Sequence, residues 1–231
     1  MGVLAELGLA RVINAAGTLT RLGGAPMAPE VVSAMAEAAA ASLDMAALQE
    51  RASAEIAAAT GAEAGLVTTG AAAGLTLAAA ATLAGLDPAR MAALPRIEEG
   101  RTEILVHRTH RSAYTRALAV AGARLIDFGH NDRGTGAGIR GIEAWEIEAA
   151  VSARTAAVFV AATPWSAPDI PLIARTAHAH DLAVIVDAAA QLPPASNLRR
   201  FIADGADLVA FSGGKAIGGP QSSGILAGRR A

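Results

Sequence analysis

The sequence predicts an α/β protein: a mostly parallel sheet of about seven strands, with helices on both faces. Three observations carry that reading. Short apolar runs alternate with stretches of helical period along almost the whole chain, joined by short links. Two of the runs, Val158-Phe159-Val160 and Val184-Ile185-Val186, are apolar on both faces, as strands buried in a parallel sheet are. The chain is 53% hydrophobic but only 3% aromatic, so its core is Ala, Leu, Val and Ile, which suits close helix-on-sheet packing.

Residues 1–28 read as an irregular N-terminal segment, with VINAAGT as a short extended piece and RLGGAP as a turn. Residues 29–231 read as one domain, because no repeat or low-complexity linker interrupts the alternation. Pro29 to Ala41 spaces Val31, Val32, Met35 and Ala38-Ala39 as a helix does, and Pro29-Glu30 suits its first turn. Met45 to Thr60 is a second helix, stopped by Gly61. Gly65 to Thr69 is a strand that runs into an Ala/Leu helix reaching Leu86, and Asp87-Pro88 starts a shorter helix. Strands then follow at 102–107, 124–128, 156–162, 183–187, 208–211 and 225–227. Helices are expected at 112–122, 142–152, 172–180 and 197–203.

Composition removes several function classes. A net charge of −2 leaves no concentrated basic surface for nucleic acid. Without cysteine there is no disulfide, thiolate metal site or thiol catalysis. Glu6 and Arg11 interrupt the first apolar stretch, so no signal peptide is read there. The run Ala71 to Leu86 is too short to span a bilayer and reads as a buried helix. A soluble, cytoplasmic protein is the expectation.

In open α/β sheets ligands bind beyond the carboxyl ends of the strands, so the residues after each strand are the candidates. After the first strand, Thr69-Gly70-Ala71-Ala72 forms a small-residue turn at a helix N-terminus, where free N–H groups favour a phosphate; plain packing is the alternative. After the second, His110 could stack on a planar ring or move a proton, or be a loop histidine. Asp187 ends AVIVD, and a carboxylate there is costly unless a partner awaits it. Backbone N–H groups could be that partner, and so could a protonated pyridine nitrogen. Lys215 follows Leu208 to Phe211 and Ser212-Gly213-Gly214, and Gly218-Gly219-Pro220 keep the segment a loop. Partial desolvation at a strand mouth favours the neutral, nucleophilic amine. The plain alternative is a surface lysine. A phosphate turn, a ring-facing histidine, a strand-end aspartate and a strand-end lysine together point to pyridoxal phosphate (PLP).

Other patterns fail on their contexts. Ser212-x-x-Lys215 needs a helical turn, which Gly213-Gly214 opposes. A phosphate-binding Gly-Lys loop needs Gly where Val209 stands and Ser or Thr where Ala216 stands. Gly136-x-Gly138-x-x-Gly141 lies several polar residues past its strand, with no acidic residue about 20 positions on. His178 and His180 fall on different faces of one helix and make poor co-ligands; no metal site is read.

The segments VINAAGTLTRLGG, LQERASAEIAAATGAEAGLVTTGAAAGLTLA, HRTHRSAY, VIVDAAAQLPP and FSGGKAIGGPQSSGILAGR resemble the SelA-like group of PLP enzymes. That group includes selenocysteine synthase and D-glucosaminate-6-phosphate ammonia-lyase. The resemblance implies the aspartate-aminotransferase-like large domain and a homodimer or higher homo-oligomer. It implies Lys215 as the Schiff-base lysine and Asp187 as the ring-nitrogen partner. Gly70, Ala71 and Ala72 match the phosphate turn, His110 the ring-facing position, and Ser212 and Gln191 further contacts. Relatives continue into a smaller C-terminal domain, which this sequence lacks, so a truncated chain is expected. The expected function is a PLP-dependent lyase, releasing ammonia by α,β-elimination from an amino acid or amino sugar acid such as D-glucosaminate 6-phosphate. The alternatives are selenium transfer to seryl-tRNA and a non-catalytic remnant of the fold.

Overall fold

The computed structural model describes residues 2–130 and 141–230. Among them seven strands form one sheet in the order β1-β7-β6-β5-β4-β2-β3. The strands are β1 (Ala64–Thr68), β2 (Glu103–His107), β3 (Arg124–Phe128), β4 (Thr155–Ala161), β5 (Ala183–Asp187), β6 (Leu208–Ser212) and β7 (Gly224–Gly228). The five from β6 to β3 pair in parallel, while β7 runs antiparallel between β1 and β6. Six strands therefore end at one edge of the sheet, and β7 begins there. The strand at Thr102 to His107 starts one residue later than expected, and the one at 156–162 begins and ends one residue earlier.

Alternation along each strand sorts the core into two layers. Val158, Val160, Val184, Val186, Val209 and Phe211 face one side. There they meet Ile147 of α7 (Ala144–Ala150), Ile170 and Ile173 of α8 (Ile170–His178) and Phe201 of α9 (Asn197–Ala203). Ile104, Val106, Phe159, Ile185 and Ala210 face the other, against Leu75, Ala78 and Leu83 of α4 (Ala71–Ala84) and Leu118 of α6 (Arg116–Val120). Each fully buried Leu, Ile or Phe contributes about 1.5–3 kcal/mol of transfer free energy, and both layers are dense with them.

Local chemistry sets the helix ends. Asp44 accepts from the Ala46 and Ala47 N–H groups to start α3 (Met45–Thr60), and Gly61 closes it at φ 75°. Asp87 does the same for α5 (Pro88–Ala93). The helix expected over 112–122 is instead a 3-10 turn, Ala113–Thr115, leading into α6. Ser112 accepts from the Tyr114 N–H at 3.2 Å and Thr115 donates to the Ser112 carbonyl at 2.7 Å, and such bonds compete with the helical ladder.

The first forty residues show more than the sequence reading gives. VINAAGT, expected as a short extended piece, ends in a turn, where Asn14 accepts from the Ala16 N–H and donates to the Gly17 carbonyl. α2 (Pro29–Ala39) forms as expected, yet its stripe stays uncovered: Val32 is 48% and Met35 44% exposed. A short helix, α1 (Val3–Glu6), precedes it. The Gly136 to Gly141 pattern lies outside the described residues except for Gly141.

Gly224 starts β7 in register with Thr68 of β1 and with Ser212 of β6. A Cβ there would lie 2.6 Å from the Gly70 carbonyl carbon and 2.8 Å from the Ala71 nitrogen. Gly224→Ala should therefore destabilise the fold by about 1–3 kcal/mol, the range for overpacking against atoms that cannot turn aside. Urea denaturation checks this, and an unchanged midpoint would show that the contact yields.

Candidate active site

At the carboxyl edge, the ends of β1, β4, β5 and β6 surround a cavity of about 380 Å³. Its lining includes Gly70, Ala71 and Ala72, Asp187 and Gln191, and Ser212 and Lys215. Seven of the eight residues singled out in the sequence thus meet at one place. Each is there for a local reason. Gly70 takes φ 116°, a conformation open to glycine, and this turns the chain from β1 into α4. Thr68 Oγ1 bonds the Gly70 carbonyl at 2.9 Å and holds the turn. The first N–H groups of a 14-residue helix then face the cavity unpaired within the helix.

Asp187 closes β5, and its Oδ1 accepts from the Ala189 N–H at 3.0 Å. Burial pushes its carboxyl pKa up, and the Ala189 N–H and the Lys215 charge pull it back in part. Gln191 is held by its carbonyl, which accepts from Asn197 Nδ2 at 2.7 Å. Lys215 is half-buried in a loop packed through backbone contacts. The Gly213 N–H donates to the Ser223 carbonyl, and the Gly219 N–H to the Gly213 carbonyl, both at 2.8 Å. The Ala25 N–H donates to the Gly214 carbonyl at 2.9 Å, so the N-terminal segment is tied to this loop next to the lysine.

His110 is placed differently. It is buried in the 3-10 turn Arg108–His110, edge-on to His107 with ring centroids 5.6 Å apart, and is not among the residues lining the cavity. Tyr114 lines it, as do Thr20, Gln221 and Ser222, none of which the sequence reading singled out. Tyr114 is the one tyrosine of the chain and sits four residues after His110, which was a usable signal. Nothing in the sequence marks Thr20.

Chemically the cavity offers an amine, a desolvated carboxylate and helix N–H groups suited to an anion.

No protein-family model matches the chain. D-glucosaminate-6-phosphate ammonia lyase of Salmonella typhimurium is 34% identical over 233 aligned positions, covering 97% of this chain and 60% of the relative. The solved D-glucosaminate-6-phosphate ammonia-lyase superposes with a TM-score of 0.88 over 100% of this chain and 61% of its own. The chain is similar to the SelA-like PLP enzymes. A Streptomyces 5'-C-glycyluridine monooxygenase-decarboxylase is also 34% identical, over 97% of this chain and 55% of that protein. Aspartate aminotransferase of Thermus thermophilus, at 16% identity and a TM-score of 0.59, covers 98% of this chain and 59% of its own and shares the fold. The SelA-like resemblance thus runs over nearly the whole chain, which spans about 60% of the length of its ammonia-lyase relative.

A second group of titratable residues surrounds His107 at the end of β2. Burial lowers the His107 imidazole pKa from 6.5; Glu146 and Asp169 raise it in part, and His130 and Arg108 lower it. The fold therefore takes up a proton at His107 less readily than the unfolded chain does. The stability His107 contributes is complete above 6.5 and declines as pH falls below it. Asp169 and Asp187, both raised above 3.8 by burial, act in the opposite sense on acidification. His107→Gln should thus lessen the loss of Tm between about pH 7 and about pH 5. Thermal melts of both proteins across that range read it directly, and parallel curves would contradict it.

Proposed function

We propose that this chain is the PLP-binding domain of a lyase that releases ammonia from an amino acid or amino sugar acid by α,β-elimination. The observation that carries the reading is the meeting of Lys215, Asp187 and the α4 N-terminus in one cavity. Residues 29–231 would form that domain.

The residues suit the cofactor. A volume of about 380 Å³ lies in the range of small-molecule sites. No heavy atom lies within 4 Å of where a Gly70 Cβ would stand, which leaves room for a phosphate over the Ala71 and Ala72 N–H groups. Asp187 is a desolvated carboxylate suited to a cationic ring nitrogen.

Bound PLP supplies an electron sink for the pair released at the substrate α-carbon. Lys215 Nζ would hold the cofactor through its aldehyde group, and the lysine amine would serve as the base for the substrate α-proton. Asp187, with Oδ1 fixed by Ala189, would hold a proton at the ring nitrogen. Ser212 and Gln191 would add hydrogen bonds from the cavity wall. Loss of the β-hydroxyl as water leaves an enamine, and its hydrolysis by a second water gives a 2-oxo acid and ammonia. D-glucosaminate 6-phosphate is the first substrate to test, given the likeness to its ammonia lyase.

Oxidative decarboxylation is a second reading, favoured by equal identity to the glycyluridine enzyme. Oxygen uptake with carbon dioxide release would distinguish it from ammonia release. Among the described residues no helix is long and apolar enough to cross a membrane. A cytoplasmic homo-oligomer completes the proposal, and the uncovered stripe of α2 supports self-association.

The purified chain mixed with PLP should gain a visible absorbance, and borohydride should fix the added mass on Lys215. Lys215→Ala should fold normally and lose both. A variant that kept the fixed mass would refute the assignment. Asp187→Asn should retain PLP but slow ammonia release by about a hundredfold or more, because an amide cannot keep the ring nitrogen protonated. Its Tm without PLP should not fall, since a desolvated charge is removed while the Ala189 bond is kept. A lower Tm with unchanged turnover would identify Asp187 as a structural strand end.

A further inference from the structure

Elimination needs an acid as well as a base. As the α-proton leaves, the β-carbon–oxygen bond breaks, and hydroxide is a poor leaving group unless a proton reaches it. Among the described residues lining the cavity, only Lys215, Asp187 and Tyr114 carry side chains that exchange a proton readily; the others are hydroxyls, amides or apolar. On the elimination reading Lys215 takes the α-proton and Asp187 serves the ring nitrogen. Tyr114 remains.

We propose that the Tyr114 phenol is the acid that protonates the departing β-hydroxyl. The proposal rests on the elimination reading above. Its electron count closes. The α-proton goes to Lys215 Nζ, and the C–H pair becomes the new Cα–Cβ bond. The β-carbon–oxygen pair leaves with oxygen, which takes the phenolic proton and departs as water. The phenolate recovers its proton from solvent, which reaches it because Tyr114 is 68% exposed. A phenol O–H is a hydrogen-bond donor, so Tyr114 can face the departing oxygen as one.

The fold positions this residue. Ser112 Oγ accepts from the Tyr114 N–H, and the buried Thr115 ties the same turn to the Ser112 carbonyl. The turn leads into α6, whose Ala117 carbonyl accepts from Thr76 Oγ1 of α4 at 2.9 Å. Tyr114 is thereby linked to the helix whose N-terminus lines the cavity. His110, expected to serve this region, lies outside the lining.

The test starts with PLP absorbance in wild type and in Tyr114→Phe. Absence from both would overturn the elimination reading and this proposal with it. Presence in both leads to two further arms. Tyr114 is the only tyrosine, so tetranitromethane nitration read by mass reports on it alone. Nitration should be lost when PLP is reduced onto the protein, and this arm needs no turnover. Undiminished nitration would overturn the proposal while leaving PLP binding intact.

In the kinetic arm, Tyr114→Phe should lose about a hundredfold or more in ammonia release from D-glucosaminate 6-phosphate. Exchange of the substrate α-proton with solvent deuterium should persist. Ammonia release from β-chloroalanine, whose leaving group needs no proton, should hold within about threefold. Equal losses on both substrates would overturn the acid role and make Tyr114 a binding residue.

Discussion

The candidate site rests on a backbone contact at Gly224. β7 runs against its neighbours, so its first residue lies beside the last residues of β1 and β6 at once. One of those strands delivers the α4 N-terminus and the other delivers Lys215. Any side chain on Gly224 would enter the Gly70–Ala71 peptide. The spacing between the α4 N-terminus and Lys215 is thus set by an absent methyl group. The same device recurs along the lysine loop. A Cβ on Gly213 would reach Ser223 Oγ at 2.2 Å, and one on Gly214 would reach the Gln221 Cα at 2.4 Å. Neither these two nor Gly224 has positive φ, so what glycine provides there is room, not unusual backbone angles.

The cavity is also where the fold gives up stability. A carboxylate ending an apolar strand loses hydration that a single Ala189 N–H and a nearby ammonium only partly restore. Asp207, at the opposite end of the sheet, shows a compensated arrangement. It accepts from the Val184 N–H at 2.8 Å, pairs with His178 at 2.8 Å and with Arg229 at 3.1 Å. The aspartate that closes β5 and the one that precedes β6 are thus treated oppositely, and the undercompensated one faces the cavity. Perturbed groups cluster at functional sites, which makes this carboxylate in a cleft a candidate.

Much of this is legible in the sequence. β3, β5, α3 and α9 match the expected residues throughout, because apolar runs and caps define their ends. Asp187 and Lys215 were legible because a residue that ends or closely follows a buried parallel strand has little choice of direction. His110 and Tyr114 were harder. They lie three and seven residues past β2, and which of them reaches the cavity depends on two successive 3-10 turns that side-chain hydrogen bonds create. Periodicity carries no information on such turns. The stripe of α2 was legible as amphipathic, but not as uncovered, since a pattern records an apolar face without saying what meets it.

Two relatives with different reactions, an ammonia lyase and a monooxygenase-decarboxylase, share the same identity with this chain over nearly the same span. On the PLP reading proposed above, an amine, a desolvated carboxylate and a helix N-terminus would hold and polarise the cofactor and would favour neither outcome. What distinguishes elimination from oxidation is whether a proton reaches the departing oxygen before another reagent meets the activated carbon. On that reading the choice would belong to side chains on the cavity wall, where Tyr114, Thr20, Gln221 and Ser222 stand and the Tyr114 phenol would supply the proton. These are also residues on turns and loops, positioned by the strands but not part of them. On that reading the sheet would fix the cofactor chemistry while the loops choose the reaction, as function grafted onto a shared scaffold allows.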